Sequence, residues 1–246
     1  LMVNMKSSSN AVELAKKYKL PIGLHFNIVR GKSLIGASTI TDSENNFYSR
    51  RELFKRILKN QIDPKDIQNE FFAQLNFLQN DSLNFSHFDS DNHSHFNPFI
   101  INSLKKIIKS KKIKLRKINP LKICNPILNV TRSIKQTYFR IICLFFWNKS
   151  FQSNNFITSI YDLNSKKKFT KEDYLNLIET NNKNITLELM VHPYKKSNEL
   201  YKIYKSNSEI DFVNNCLNEY KILSDNFGLF SETNYHLSNF KDLNSS

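Results

Sequence analysis

Glycine is scarce, with four in 246 residues. A P-loop or a dinucleotide fingerprint needs several glycines in a short window, so neither is present. Cysteine is scarce as well. Cys124, Cys143 and Cys216 stand far apart and form no C-x-x-C pair, which argues against a zinc ribbon or thioredoxin-like chemistry. An odd, sparse cysteine count suits a reducing compartment, and the cytoplasm is the expected location. No apolar run reaches the roughly 20 residues of a membrane helix. The most apolar stretch, Tyr138 to Trp147, is about half that length and contains Arg140. Acidic residues are in deficit, 22 against 36 Lys and Arg, for a formal charge of +14. That balance is compatible with nucleic acid, an anionic membrane surface or an acidic ligand. The crowding of Lys, Asn, Ile, Ser and Phe can equally arise from AT-rich coding, which supplies lysines without selecting a ligand. The chain also lacks an initiating methionine. It opens on Leu1, so a piece of a longer protein is expected, and an upstream targeting signal lies beyond judgement.

Hydrophobic residues make up 40% and charged residues 24%, enough for a globular core of one domain or two small ones. Within it the most distinctive stretch is Ser86 to Pro98, SHFDSDNHSHFNP. It holds His87, Asp89, Asp91, His93 and His95, all at odd positions. An extended segment would put all five on one face. Imidazoles and carboxylates on one face make a poor core and a plausible site for a divalent cation. The alternative is a polar surface loop, because Asp, Asn and Ser favour turns.

Strand and helix signals alternate along the chain. Leu1–Met5 reads as a short strand. A helix follows, with Asn10 and Glu13 spaced as a capping box. IGLHFNIV reads as a strand, and helices are expected at about 49–58 and 64–79. Asp63 is the predicted cap of the second, Pro64 lies in its first turn, and Ile67, Phe71, Leu75 and Leu78 form its buried face. Pro98 leads a further helix, IKLRKI reads as a strand, and residues 127–147 read as helical. A short strand is expected within 154–168, a helix capped by Thr170, a buried strand ITLELMVHP, and a last helix at about 208–223. Hairpin signals are absent, so the order predicts a parallel sheet with helical crossovers. His25 and His192 fall at or near strand ends, where chemistry collects in such folds.

These segments resemble the YdjC-like carbohydrate deacetylases, which include chitooligosaccharide and hopanoid-associated deacetylases. The resemblance rests on PIGLHFNIVRGKSL with His25, on HFDSDNHSHFNP, on Ile67, Glu70 and Gln74 in the helix before that motif, and on LELMVHP with His192. It runs through most of the chain in the right order. It implies a distorted or incomplete (β/α) barrel of the polysaccharide-deacetylase type, as a single catalytic domain over 1–246 lacking the family's first strand and helix. The family's opening Asp-Asp-Phe-Gly strand, which supplies a carboxylate, has no counterpart here. Asp91 stands where the family has a metal-ligating His.

The resemblance further implies metal-dependent removal of an N-acetyl group from an amino sugar. The cofactor would be a divalent metal, with magnesium first and manganese or zinc as alternatives. Metal ligands would be His25, Asp91 and His93. Asp89 would hold an imidazole tautomer, and His192 would be the general acid. The alternatives are an ordinary strand histidine at His25 and a structural hydrogen bond at His192. His93 and His95 could be ligands, sugar contacts or orienting groups. Phe26, Phe88 and Phe96 could form a sugar platform or simply pack the core. The expected partner is an acetylated amino sugar, with a homodimer as a candidate assembly and no transmembrane segment. A competing reading is a catalytically impaired glycan-binding relative, favoured by Asp91. A basic nucleic-acid-binding protein is the further alternative, although no nucleic-acid partner is expected. The eight basic residues from Lys105 to Lys117 include lysines opposite an apolar helix face, and no zinc-finger, RRM or helix-turn-helix pattern is present.

Overall fold

The computed structural model describes residues 1–80, 83, 85–122, 127, 129–147, 149–162, 169–178, 185–197, 200, 207–226, 228 and 238–243. Cys124 and His236 lie outside them. The Cα packing divides into two compact units. The first comprises Leu1–Ile118, Ile141–Ser153 and Asn239–Ser246; the second comprises Asn119–Arg140 and Asn154–Ser238.

In the first unit, β1 (Ile22–Phe26) pairs in parallel with β2 (Phe85–Ser90). The chain between them supplies α2 (Arg50–Leu58) and α3 (Pro64–Asn80), a crossover that a parallel pair requires. α1 (Ser8–Lys17) precedes β1, and α4 (Pro98–Ser110) follows β2. Side chains alternate across the pair. Leu24, Phe26 and Phe88 turn inward and are fully buried. Phe26, Phe71 of α3 and Phe88 meet edge to face, with ring centroids 5.0 to 5.9 Å apart. These phenylalanines are core rather than a sugar platform, and Phe96 is likewise buried, against Trp147. Ile67, Phe71, Leu75 and Leu78 are all fully buried, as their spacing predicts. Asp63 Oδ1 accepts from Lys65 N at 2.8 Å, and Asn97 Oδ1 from Phe99 N at 2.9 Å, so both helices begin where the Pro signals put them.

Three local expectations are corrected. Leu1–Met5 is not a strand. Only Leu1 meets the edge of β1, where His25 N donates to its carbonyl at 3.0 Å, and the chain then turns as Ser8 N bonds Met5 O. α1 starts at Ser8 with Ser7 before it, because the serine run already makes the first turn, so Asn10 is not its cap. The segment 113–118 is not a full strand. It lies parallel to β2 through one bridge, Phe88 to Leu115, with Phe88 N bonded to Lys114 O and Arg116 N to Phe88 O.

The second unit repeats the parallel theme. β3 (Phe156–Ser159) pairs with β4 (Leu187–Met190), and α6 (Lys171–Ile178) lies between them in sequence. Thr170 and Asp173 exchange side-chain to backbone hydrogen bonds and cap α6. β4 is half-buried rather than buried. α7 (Asn207–Asp225) closes the unit, burying Val213, Cys216 and Glu219. α5 (Val130–Phe145) joins the segments that belong to the two units. The whole is an α/β fold of parallel strands with helical crossovers, as expected. No helix among the described residues is long and apolar enough to cross a membrane.

Candidate active site

β1 and β2 present a second face, opposite the phenylalanine core. It carries Gly23 and His25 from β1 and His87 and Asp89 from β2. In the register of the pair His25 lies beside Asp89, near the carboxyl ends of both strands. His25 Nδ1 is 2.9 and 3.0 Å from the two Asp89 oxygens. Arg116, brought alongside β2 by the Leu115 bridge, donates from Nη1 to Asp89 Oδ2. Burial alone would raise the Asp89 carboxyl. The Arg116 guanidinium, with the hydrogen bond and charge of His25, overrides it and holds Asp89 well below the usual carboxylate range.

This charge state decides the imidazole. An ionised carboxylate only accepts, so the proton between the two residues sits on His25 Nδ1. In the neutral imidazole the lone pair is then on Nε2, and the side chain is about a third exposed.

His87 closes one side of this face. Its ring stacks on Phe240 at 4.0 Å between centroids, and Ser86 Oγ lies 2.9 Å from its Nδ1. A Cβ on Gly23 would fall 2.5 Å from His87 Cε1, so only glycine lets the ring lie against β1. Burial lowers the His87 pKa to about 4, against the opposing pull of Asp89, so the ring is neutral at pH 7.

The alternation of the 86–98 stretch stops at Ser90. Residues Asp91–Phe96 form a 3-10 turn in which Asn92 (φ 52) and His93 (φ 56) are both left-handed. Polar odd positions therefore do not share one face beyond Asp89. Asp91 turns to Arg30, whose Nε lies 2.8 Å from its Oδ2. His93 is half-buried within the turn. His95 is fully buried, with Ser90 Oγ 2.5 Å from Nδ1 and the Arg116 carbonyl 3.0 Å from Nε2. Burial lowers its pKa to about 4, opposed by the charge of Asp89 and the bond to Arg116. His95 is thus an orienting group that ties the end of β2 to the segment carrying Arg116.

Glu70 and Gln74 of α3 shape the loop after β1. Gln74 bonds both the N–H and the C=O of Asn27, at 3.1 and 2.7 Å. Asn27 in turn holds the Arg30 backbone through its amide, and Glu70 accepts from Ser33 Oγ at 2.7 Å and from the amides of Leu34 and Ile35. That clamp delivers Arg30 to Asp91.

Of the sequence-predicted site residues, the structure brings His25 and Asp89 together. Asp91 and His93 do not join them in a ligand group. Among the described residues, no three His, Cys, Asp or Glu side chains gather as a group able to hold a metal ion. Two causes are on view: the left-handed turn redirects the chain, and Arg30 engages Asp91. Arg116 was missed by sequence reasoning, since one arginine in a lysine-rich run carries no local signal of its buried partner.

His192 belongs to the second unit. Its backbone N–H donates to Glu219 Oε2 at 2.5 Å, while Tyr174 Oη donates to Glu219 Oε1 at 2.5 Å. The His192 ring lies among Tyr161 and Phe212, at 6.2 and 5.8 Å between centroids. Glu219 is buried, and burial raises its pKa against the bonds from Tyr174 and His192.

Comparison with known proteins gives this geometry a context. The family described as YdjC-like protein matches residues 1–227. A carbohydrate deacetylase of Vibrio cholerae serotype O1 is 36% identical over 76 residues, 30% of this chain and 29% of that protein. A carbohydrate deacetylase of Danio rerio is 30% identical over 79 residues, 31% of this chain and 25% of that protein. The matched stretches thus span less than a third of either relative. A solved structure from Enterococcus faecalis V583, a candidate cellobiose-phosphate cleavage protein, superposes with a TM-score of 0.71 at 16% identity, over 98% of this chain and 85% of that one. That likeness bears on the fold.

Proposed function

This chain belongs to the YdjC-like protein family, and from that membership we propose that it is a hydrolase removing the N-acetyl group from an amino sugar or its oligomers. The observation that carries the reading is the His25–Asp89–Arg116 relay at the carboxyl end of a parallel strand pair. Relatives named carbohydrate deacetylase support the substrate class.

The chain's own residues supply acid–base chemistry. Arg116 keeps Asp89 ionised, and Asp89 keeps the His25 proton on Nδ1. His25 Nε2 then takes a proton from a water as its oxygen attacks the acetamide carbonyl carbon. When the C–N bond breaks, the same nitrogen returns the proton to the departing amine. Acetate and a free amino sugar result. A divalent cation, magnesium first, is the cofactor carried over from the resemblance, with His25, Asp91 and His93 as its expected donors; a His25 Nε2 given to that cation would not be free to carry the proton. The described residues do not complete such a site, so the steps above use none of its chemistry.

The test is acetate release from N-acetylated amino-sugar oligomers. Asp89→Asn and His25→Ala should each lower kcat by at least about a hundredfold. Full activity in either variant would refute the relay. A chelator that abolishes turnover would establish the cation, and His192→Ala with unchanged kcat would leave the acid at His25. A second reading, a glycan-binding relative without turnover, is favoured by the Arg30–Asp91 pair. Sugar binding without acetate release would select it.

A further inference from the structure

α5 is amphipathic the wrong way round for a surface helix. Its inner face, Ser133, Gln136, Phe139 and Ile142, is half polar. Its outer face is apolar: Ile134 is 64% exposed, Leu144 78% and Phe145 77%, with Val130, Tyr138 and Ile141 between them. At 100° per residue these six lie within one arc of about 120°, and the one other residue of that arc is Thr137. No charge interrupts it. An ordinary solvated helix places lysine and glutamate there.

Along the sequence, the charge on and to either side of this helix has one sign. From residue 92 to residue 161 the chain contains thirteen Lys and Arg and no Asp or Glu. Within α5, Lys135 edges the apolar arc above the Phe139 ring, Arg132 is half-buried, and Arg140 bonds the Pro120 and Leu121 carbonyls. Exposed Lys122 and Lys149 flank the helix in sequence. A second copy of this chain would bring the same basic surround and no acidic partner for it. An anionic lipid surface offers apolar depth for the arc and negative charge for its surround.

We propose that α5 is a docking helix that lies in the surface of an anionic bilayer, with Ile134, Ile141, Leu144 and Phe145 in the acyl boundary. The helix is shorter than a membrane span and does not cross. The position is peripheral, and it accounts for an apolar face and a basic balance that the hydrolytic site does not use.

The experiment is sedimentation of the whole 246-residue chain with vesicles of phosphatidylcholine alone and of equal parts phosphatidylcholine and phosphatidylglycerol. Binding to the mixed vesicles should be stronger by on the order of tenfold and should weaken with salt. The triple variant Ile134→Ser, Ile141→Ser, Phe145→Ser should lose at least about tenfold in affinity. Trp147, the chain's single tryptophan, packs on Phe96 and Phe151, so unchanged emission certifies that the variant is folded. If emission changes, the pair Lys135→Gln and Lys149→Gln replaces it and should weaken binding to the mixed vesicles alone. Equal binding to both vesicles, undiminished binding by a folded triple variant, or no binding would overturn the proposal. A dimer in gel filtration that the triple variant dissociates would assign the face to a second copy and overturn it as well.

Discussion

Two of the molecule's buried carboxylates are treated in opposite ways. Asp89 in the first unit and Glu219 in the second are both nearly inaccessible to solvent, and burial pushes the pKa of each upward. Asp89 has a guanidinium within hydrogen-bond reach and an imidazole beside it, so it stays ionised. Among the described residues Glu219 accepts from a phenol and an amide N–H, both neutral, and its pKa remains raised. The difference lies in the partner rather than in the depth. A buried acid meant to orient an imidazole needs a full positive charge; one that anchors a strand end needs only donors.

The largest expected effect comes from removing that charge. Arg116→Met leaves a buried anion with a single neutral-capable partner and should cost about 3–5 kcal/mol in urea unfolding. Adding Asp89→Asn should recover most of it, since the uncompensated charge is then gone. A single variant as stable as the wild type would show that Asp89 is not held ionised by Arg116. Next in size is Tyr174→Phe, which deletes a donor to Glu219 and should cost about 1–3 kcal/mol. The same change should raise the Glu219 pKa further, which carboxyl carbon NMR can follow. A fall in that pKa would contradict the hydrogen-bond assignment.

The smallest effect is on pH dependence, and its signs differ between groups. His87 and His95 have folded pKa values lowered to about 4, so the unfolded chain takes up protons first as pH falls below about 6.5. Their contribution to stability is present at neutral pH and is lost between about 6.5 and 4. Glu219 works against this. Its folded pKa is raised, so the native state holds the proton longer, and stability gains as pH falls toward about 4.3. Glu219→Gln should therefore steepen the acid loss of urea midpoint between pH 6.5 and 4.5. An unchanged slope would mean that Glu219 does not differ from Asp89 in the way described. Asp89, with its pKa depressed, gives up its contribution only at lower pH still.

Much of the frame was legible from local patterns. The apolar spacing of α3, its Asp63 cap with Pro64, and the Asn97–Pro98 start of α4 are short-range rules, and the structure follows them. The parallel α/β order was legible because the sequence carries no hairpin signal between its main strands. The site was legible only in part. His25 and Asp89 sit on the predicted face because strand alternation runs as far as Ser90. Asp91 and His93 leave it because two consecutive left-handed residues follow, and Asn and His do not announce that conformation as glycine would. Arg30 engages Asp91 through a loop clamped by Glu70 and Gln74, residues far away in sequence.

By itself the sequence determined the class of fold, the starts of α3 and α4, the family resemblance and the residue types available for chemistry, because these depend on periodicity, capping and composition over a few turns. The tertiary structure alone decided which carboxylate is charged, which imidazole nitrogen carries the proton, and which face of α5 meets water. Each of those is a contact between segments distant in the chain. Arg116 reaches Asp89 across 27 residues, and His25 does so across 64. The free energy of such a contact depends on burial and partner geometry, and no local pattern contains either.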